Sequence, residues 1–206
     1  QAYFQYDSKK TGGITISHLR FGDKPIKSSY YINKANFVAC HNQAYIHKYD
    51  IVSDIKPGGT FLLDCSWDAA ELEEHLPGKV KKYIAENGID FYTIDATSLA
   101  INTIGNAKVK NTILQSAFFS LAKILPKDEA IEYMKKMAYK SYIKKGQAMV
   151  DLNYKAIEAG SDAYVKVDVP ESWKNAPEDA TEKSAKSDRK DLEKFVNTVV
   201  TPVGKM

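Results

Sequence analysis

The chain has 206 residues, 44% of them hydrophobic and 27% charged, with a net charge of +3. That composition suits one globular domain, or one domain plus a tail, and excludes a disordered or fibrous chain. No apolar run approaches the roughly 18–20 residues that span a bilayer, no signal-peptide pattern opens the chain, and of 29 basic residues only Arg20 and Arg189 are arginine, a bias against nucleic-acid recognition.

Strands are expected at Tyr3–Tyr6 and Ile14–Phe21, joined through Gly12-Gly13 as a hairpin. Phe37–Cys40, Thr60–Cys65 and Phe91–Asp95 are short, nearly continuous apolar runs, the pattern of strands covered on both faces. Between them Ala44–Ile55 and Lys79–Asn87 carry apolar residues at helical spacing, and Pro57-Gly58-Gly59 reads as a turn before a strand. Lys110–Leu125, Glu129–Tyr142 with Asp128 as its N-cap, and Lys145–Ala159 ending at Gly160 are expected helices. Strand, helix and strand in succession predict a layered α/β domain with a mixed, mainly parallel sheet. The opening hairpin supplies the antiparallel pairing, and the C-terminal half is helix-rich. The domain is expected over 1–170. Residues 171–206, rich in Glu, Asp, Lys, Ser, Ala and Pro up to Lys190, read as a charged linker and extended tail, with Asp191–Val200 a short helix or strand leading to a neighbouring domain.

Several residues invite a chemical reading. Lys9 and Lys10 beside Gly12-Gly13 are either solvated lysines at a hairpin mouth or a mobile hold for a phosphate or carboxylate. Asn111 near a helix start is either a cap or a reader of a nucleotide, since helix N-termini offer free N–H groups. Asn153 sits mid-helix, where asparagine is a poor helix former. It therefore makes either a buried hydrogen bond or a ligand contact. His18 and Arg20 share a strand face and suit structural or interdomain contacts. His41, His47 and His75 have no metal spacing. Asp64 and Asp95 at strand ends read as caps. Cys40 and Cys65 lack a CxxC spacing and read as buried free thiols in a reducing cytoplasm, not as cluster ligands.

Ordered words along the chain carry a resemblance. They are Tyr6-Asp7-Ser8-Lys9-Lys10 followed by Gly12-Gly13, Ser17-His18-Leu19-Arg20-Phe21-Gly22, Pro25-Ile26-Lys27-Ser28, Phe37–Asn42, Lys56–Leu63, Leu76–Val80, Gln115–Phe119 and Asn153-Tyr154. From about Tyr3 to about Trp173 the sequence resembles the gamma domain of pyruvate:ferredoxin (flavodoxin) oxidoreductase. The resemblance implies a domain of an enzyme that oxidises pyruvate to acetyl-CoA and carbon dioxide. Thiamine diphosphate and [4Fe-4S] clusters would lie in other domains of the same polypeptide, in a cytoplasmic homodimer that reduces ferredoxin or flavodoxin. It assigns coenzyme A contacts to Lys10, Asn111 and Asn153, no catalytic residue and no metal ligand to this region, and inactivity to the domain alone. An upstream segment ending Gly-Ala-Asn-Lys, which helps bind coenzyme A in the family, is expected to lie outside this chain. Near Asn111 the family more often shows an arginine, for which Lys108 or Lys110 would substitute. The alternatives are a non-catalytic interdomain packing module, or a free-standing gamma subunit of a related 2-oxoacid:ferredoxin oxidoreductase.

Overall fold

The structure is a computed structural model that describes residues 1–6, 13–177 and 187–200. Strands β1 (Ala2–Tyr6) and β2 (Thr15–Leu19) form an antiparallel hairpin. It is a two-stranded sheet of its own and does not join the main one. The main sheet runs in the order β3 (Ala35–Cys40), β4 (Ile55–Asp64), β5 (Asp90–Ile94), β6 (Val165–Lys166). The first three are mutually parallel, and β6 is antiparallel to β5. The sheet is therefore mixed and mainly parallel, but β6, not the hairpin, supplies the antiparallel member.

Alternation along β4 divides the core. Phe61 and Leu63 point to one face, where α1 (Ala69–His75) and α2 (Gly78–Glu86) cover them through Leu72, Val80 and Ile84. Leu62 points to the other face, covered by α4 (Lys110–Ala122) and α6 (Gln147–Gly160) through Ile113, Ala117 and Ala156. A short α3 (Ala96–Ser98) runs into a π-helical turn, Leu99–Thr103, that leads toward α4. Outside α6 lies α5 (Lys127–Tyr142), where Met134 and Ala138 close on Ile157. The terminal described helix is α7 (Lys190–Phe195), followed by a π-helical turn, Val196–Val200.

Local chemistry accounts for where elements begin and end. Asp68 and Glu71 form a reciprocal capping box that starts α1, a helix the apolar pattern alone did not suggest. The helix expected over Ala44–Ile55 is a 3₁₀ turn, Gln43–His47, capped by Asn42. Beyond it the Asp50 carboxylate accepts the Ser53 N–H at 3.3 Å. Helix gives way there to a turn, and the helical spacing of Ile46 and Val52 reflects two separate anchors in the core. Pro57-Gly58-Gly59 lies inside β4 as an irregularity in its pairing with β3. Gly58 has φ +70°, and a Cβ at Gly59 would stand 2.6 Å from the Ile55 side chain, so neither position accepts an ordinary residue freely. At α5 the N-cap position is Pro126, and Asp128 sits in the first turn, facing the helix dipole instead of capping it.

The stretch after Val169-Pro170, expected to open a solvated linker, instead starts with a 3₁₀ turn, Glu171–Asn175. Its Trp173 is only 3% exposed and packs in the core beneath α2. One aromatic side chain offers enough apolar area to hold an otherwise polar segment.

Candidate nucleotide-binding seam at the head of helix α4

The carboxyl ends of β3, β4 and β5 and the first turn of α4 lie together. In open α/β sheets this end of the sheet is where ligands settle. Gly105, at φ +79°, reverses the chain after the π-helical turn. The Asn106 carboxamide oxygen then accepts the Lys108 N–H at 3.0 Å and starts a 3₁₀ turn, Ala107–Val109. Val109 is buried and anchors that turn, and α4 follows.

Lys110, the first residue of α4, turns inward. Its Nζ lies 2.5 Å from Asp64 Oδ2 and donates to Thr97 Oγ1 at 2.9 Å. The Asp64 side chain is 4% exposed, and its other oxygen accepts the Ala96 N–H at 3.1 Å. A carboxylate removed from water this far needs a counter-charge and hydrogen bonds; Lys110 and Ala96 supply them. Lys110 is thus committed to the end of β4, and Asp64 is more than a cap. Asp95 does act as a cap, accepting the Ser98 N–H at 2.9 Å. His41, just past β3, has a pKa below the ordinary imidazole value through desolvation, with Lys110 acting in the same direction and Asp64 opposing both.

Asn111 lies exposed in the first turn of α4, and its carboxamide has no hydrogen-bond partner among the described residues. Asn153 is 2% exposed, on α6. Its Oδ1 accepts the Thr112 hydroxyl at 3.0 Å and its Nδ2 donates to the Met149 carbonyl at 2.8 Å. An amide nitrogen carries a second hydrogen, for which no described residue serves as acceptor. Thr112, not among the residues singled out from the sequence, thereby ties Asn153 of α6 to the first turn of α4, one residue after Asn111. The same seam continues along both helices. The Ser116 hydroxyl donates to the Ile157 carbonyl at 2.6 Å, and Gly160 lets the backbones touch, since a Cβ there would meet the Ile113 carbonyl at 2.4 Å. Lys9 and Lys10 lie outside the described residues. Of the three residues singled out as binding positions, Asn111 lies exposed on the first turn of α4, Asn153 lies buried on α6 against the adjacent Thr112, and Lys10 is the one outside the described residues.

A cleft of about 410 Å³ opens nearby, lined among others by Trp67, Thr93, Asp95, Ser98 and Asn102. Both cysteines face the α1–α2 side of the sheet. Burial pushes the Cys40 thiol up to about 11, and burial likewise pushes Cys65 up to about 11. Burial keeps both as neutral thiols near pH 7, which makes them poor nucleophiles. Among the described residues no cluster of His, Cys, Asp and Glu has a metal-binding arrangement, and no helix is long and apolar enough to cross a membrane.

Two solved oxidoreductase subunits have a similar fold. The pyruvate oxidoreductase subunit PORC of Thermotoga maritima superposes with a TM-score of 0.60 at 18% identity, over 82% of this chain and 81% of that one. The keto/oxoacid ferredoxin oxidoreductase gamma subunit of Geobacter sulfurreducens gives 0.51 at 19% identity, over 79% and 78%. The sequence goes further than the fold. The model of the pyruvate ferredoxin/flavodoxin oxidoreductase family matches residues 1–163, and the chain belongs to that family. It is 46% identical over 205 residues to the pyruvate-flavodoxin oxidoreductase of Enterobacter agglomerans, and 45% identical over 180 residues to the pyruvate:ferredoxin oxidoreductase of Moorella thermoacetica. Those alignments cover 100% and 87% of this chain but only 17% and 15% of the relatives. The chain therefore corresponds to one domain of much longer enzymes.

Proposed function

We propose that this chain is the domain of a cytoplasmic pyruvate:ferredoxin (flavodoxin) oxidoreductase that binds coenzyme A and presents its thiol for acetyl transfer. The single observation that supports this reading most is the exposed carboxamide of Asn111 in the first turn of α4, in a chain of this family. The exposed Asn111 amide and the free helix N–H groups at that end suit the polar, anionic nucleotide portion of coenzyme A. Lys10 would add a flexible ammonium, whose attraction to phosphate tolerates changes of geometry as the carrier arrives and leaves.

In this reading the domain performs no bond-making of its own. Asn111 meets the ligand from the surface, while buried Asn153 acts through Thr112, whose hydroxyl it holds. Lys110 is tied to Asp64 and serves as a strut for the helix start, which leaves Lys108 as the exposed cation of that turn. The gain in rate is positional: a held thiol attacks as though intramolecular. Thiamine diphosphate, where the acetyl group is generated, and the [4Fe-4S] clusters, which carry electrons to ferredoxin or flavodoxin, belong to other domains. The residues here do not fit a cluster, because the chain has only 2 cysteines and both are buried, neutral thiols.

The test is kinetic, in the intact enzyme. Lys10→Ala, Asn111→Ala and Asn153→Ala are each expected to raise KM for coenzyme A by about tenfold, the equivalent of about 1.4 kcal/mol, with KM for pyruvate unchanged. Equal increases for both substrates would remove the assignment.

A further inference from the structure

We propose that His18 is a pH-sensitive latch: while neutral it clasps residues 28–32 to the β1–β2 hairpin, and on protonation it releases them. The register puts Tyr3 opposite His18, and alternation along the strands places Gln1, Tyr3, His18 and Arg20 on one face. Those side chains grip the following segment at every second residue. The Ser28 carbonyl accepts the Gln1 amide at 2.8 Å and the Tyr3 hydroxyl at 3.1 Å. The Tyr30 carbonyl accepts the Arg20 guanidinium at 2.7 Å, and His18 Nδ1 accepts the Ile32 N–H at 3.1 Å. The imidazole also stacks on Tyr31, ring centroids 4.7 Å apart. Residues 28–32 belong to no strand, so side chains, not a sheet ladder, hold them. Of the four grips, the imidazole is the one whose charge changes near neutral pH.

The position of the proton decides the state of the latch. Because Nδ1 accepts, the hydrogen of the neutral ring sits on Nε2. His18 is 9% exposed, and its Nε2 has no hydrogen-bond partner among the described residues. A second proton would go to Nδ1 and turn an acceptor into a donor, aimed at the Ile32 N–H. The charged ring would then be held away from water with no acceptor at either nitrogen. It escapes both penalties by leaving the clasp. The charged and titratable groups around it are Arg20 on its own strand, Tyr3 across on β1, Tyr31 on the segment, and Asp54 just before β4. Burial first and the Arg20 charge second hold the His18 pKa below the ordinary imidazole value, with Asp54 opposing them. In the open state His18 titrates at about 6.5. The latch is therefore closed above that value and loosens as pH falls from there toward the lower value of the closed state.

Release disturbs little else. Tyr30 and Tyr31 are 65% and 51% exposed, so opening uncovers little apolar surface, as in other low-energy local openings. The segment leads from the hairpin to β3, and the end of the hairpin meets the main body where Phe21 lies against Phe118 of α4, ring centroids 6.1 Å apart. An open latch thus loosens the hold of the hairpin on α4. This inference does not depend on coenzyme A binding.

Hydrogen exchange of the intact enzyme tests it, with rates corrected for the intrinsic effect of pH. Between about pH 7.5 and about pH 5.5, peptides covering residues 28–34 are expected to lose about fivefold or more of their protection. In His18→Gln, whose side-chain carbonyl accepts the Ile32 N–H at any pH, protection is expected to stay level. Asp54→Asn is expected to move the transition to lower pH, because it removes the carboxylate that favours the charged ring. Wild-type protection that does not change with pH would overturn the proposal, as would a His18→Gln variant that loses protection in parallel with the wild type. Should His18→Gln fail to fold, the Asp54→Asn variant decides: an unmoved midpoint would assign the transition to another group and overturn the latch.

Discussion

Glu73 shows how much one exposed side chain can organise. Its carboxylate accepts the Trp173 indole N–H and, at 3.0 Å, the Lys81 ammonium, which also donates to the Glu73 carbonyl. Hydrogen bonds from Trp173 first and Lys81 second hold the Glu73 carboxyl below its ordinary pKa, against a small desolvation effect. A carboxylate with a depressed folded-state pKa contributes stability above its unfolded-state pKa and loses it as pH falls through the folded value. Glu73→Gln is therefore expected to be destabilised at pH 7 by about 0.5–1 kcal/mol, a modest figure because solvent screens the pair. The difference from wild type should vanish below the usual carboxylate range, as followed by denaturant melts monitored through tryptophan fluorescence. A difference that persists at the acid end would show that the ion pair is not its source. Asn153 teaches a related lesson. Its identity as an odd residue inside a helix was legible, but its partner Thr112 lies 41 positions away, a pairing that only the packing of two helices creates.

At the scale of elements, the seam between α4 and α6 depends on small or hydrogen-bonded residues in register, namely Thr112, Ser116 and Ile113 against Asn153, Ile157 and Gly160. Gly160→Ala adds a methyl group where a Cβ would stand 2.4 Å from the Ile113 carbonyl, so the helices must separate. Overpacking of this kind costs about 1–3 kcal/mol, read as a lowered denaturation midpoint. Because the seam holds Asn153 against Thr112, the same change is expected, under the proposed role, to raise KM for coenzyme A in the intact enzyme. An unchanged melt would mean that α6 shifts freely. The elements were unevenly legible. Five strands and the long helices α4, α5 and α6 stood out by period. The helix expected over Ala44–Ile55 did not form beyond a 3₁₀ turn, because apolar residues spaced like a helix face can equally be separate anchors. Helix α1 was announced by Asp68 and Glu71, a polar signature that an apolar scan passes over.

For the whole molecule, the two cysteines report on integrity. Cys40 ends β3 and Cys65 directly follows the parallel neighbour β4, both buried on the same side of the sheet. With their pKa values pushed up to about 11 by burial, they are expected to react with a thiol reagent at neutral pH only through opening of the α1–α2 layer. Labelling should thus be slower than that of an unfolded control by about 100-fold or more. Rapid labelling of the folded protein would show that the layer does not seal the sheet.

The sequence by itself determined the layered α/β class, the covered strands, the family and the identity of the residues worth suspecting, because periodicity, capping patterns and ordered motifs are local properties of the chain. Tertiary structure alone decided that the hairpin stands apart from the main sheet, that β6 closes that sheet, that Trp173 belongs to the core, and that Lys110 is bound to Asp64 while Asn111 stays exposed. Each of these is a contact between residues distant in sequence, settled by which surfaces compete best for burial and for charge, and no local pattern encodes that competition.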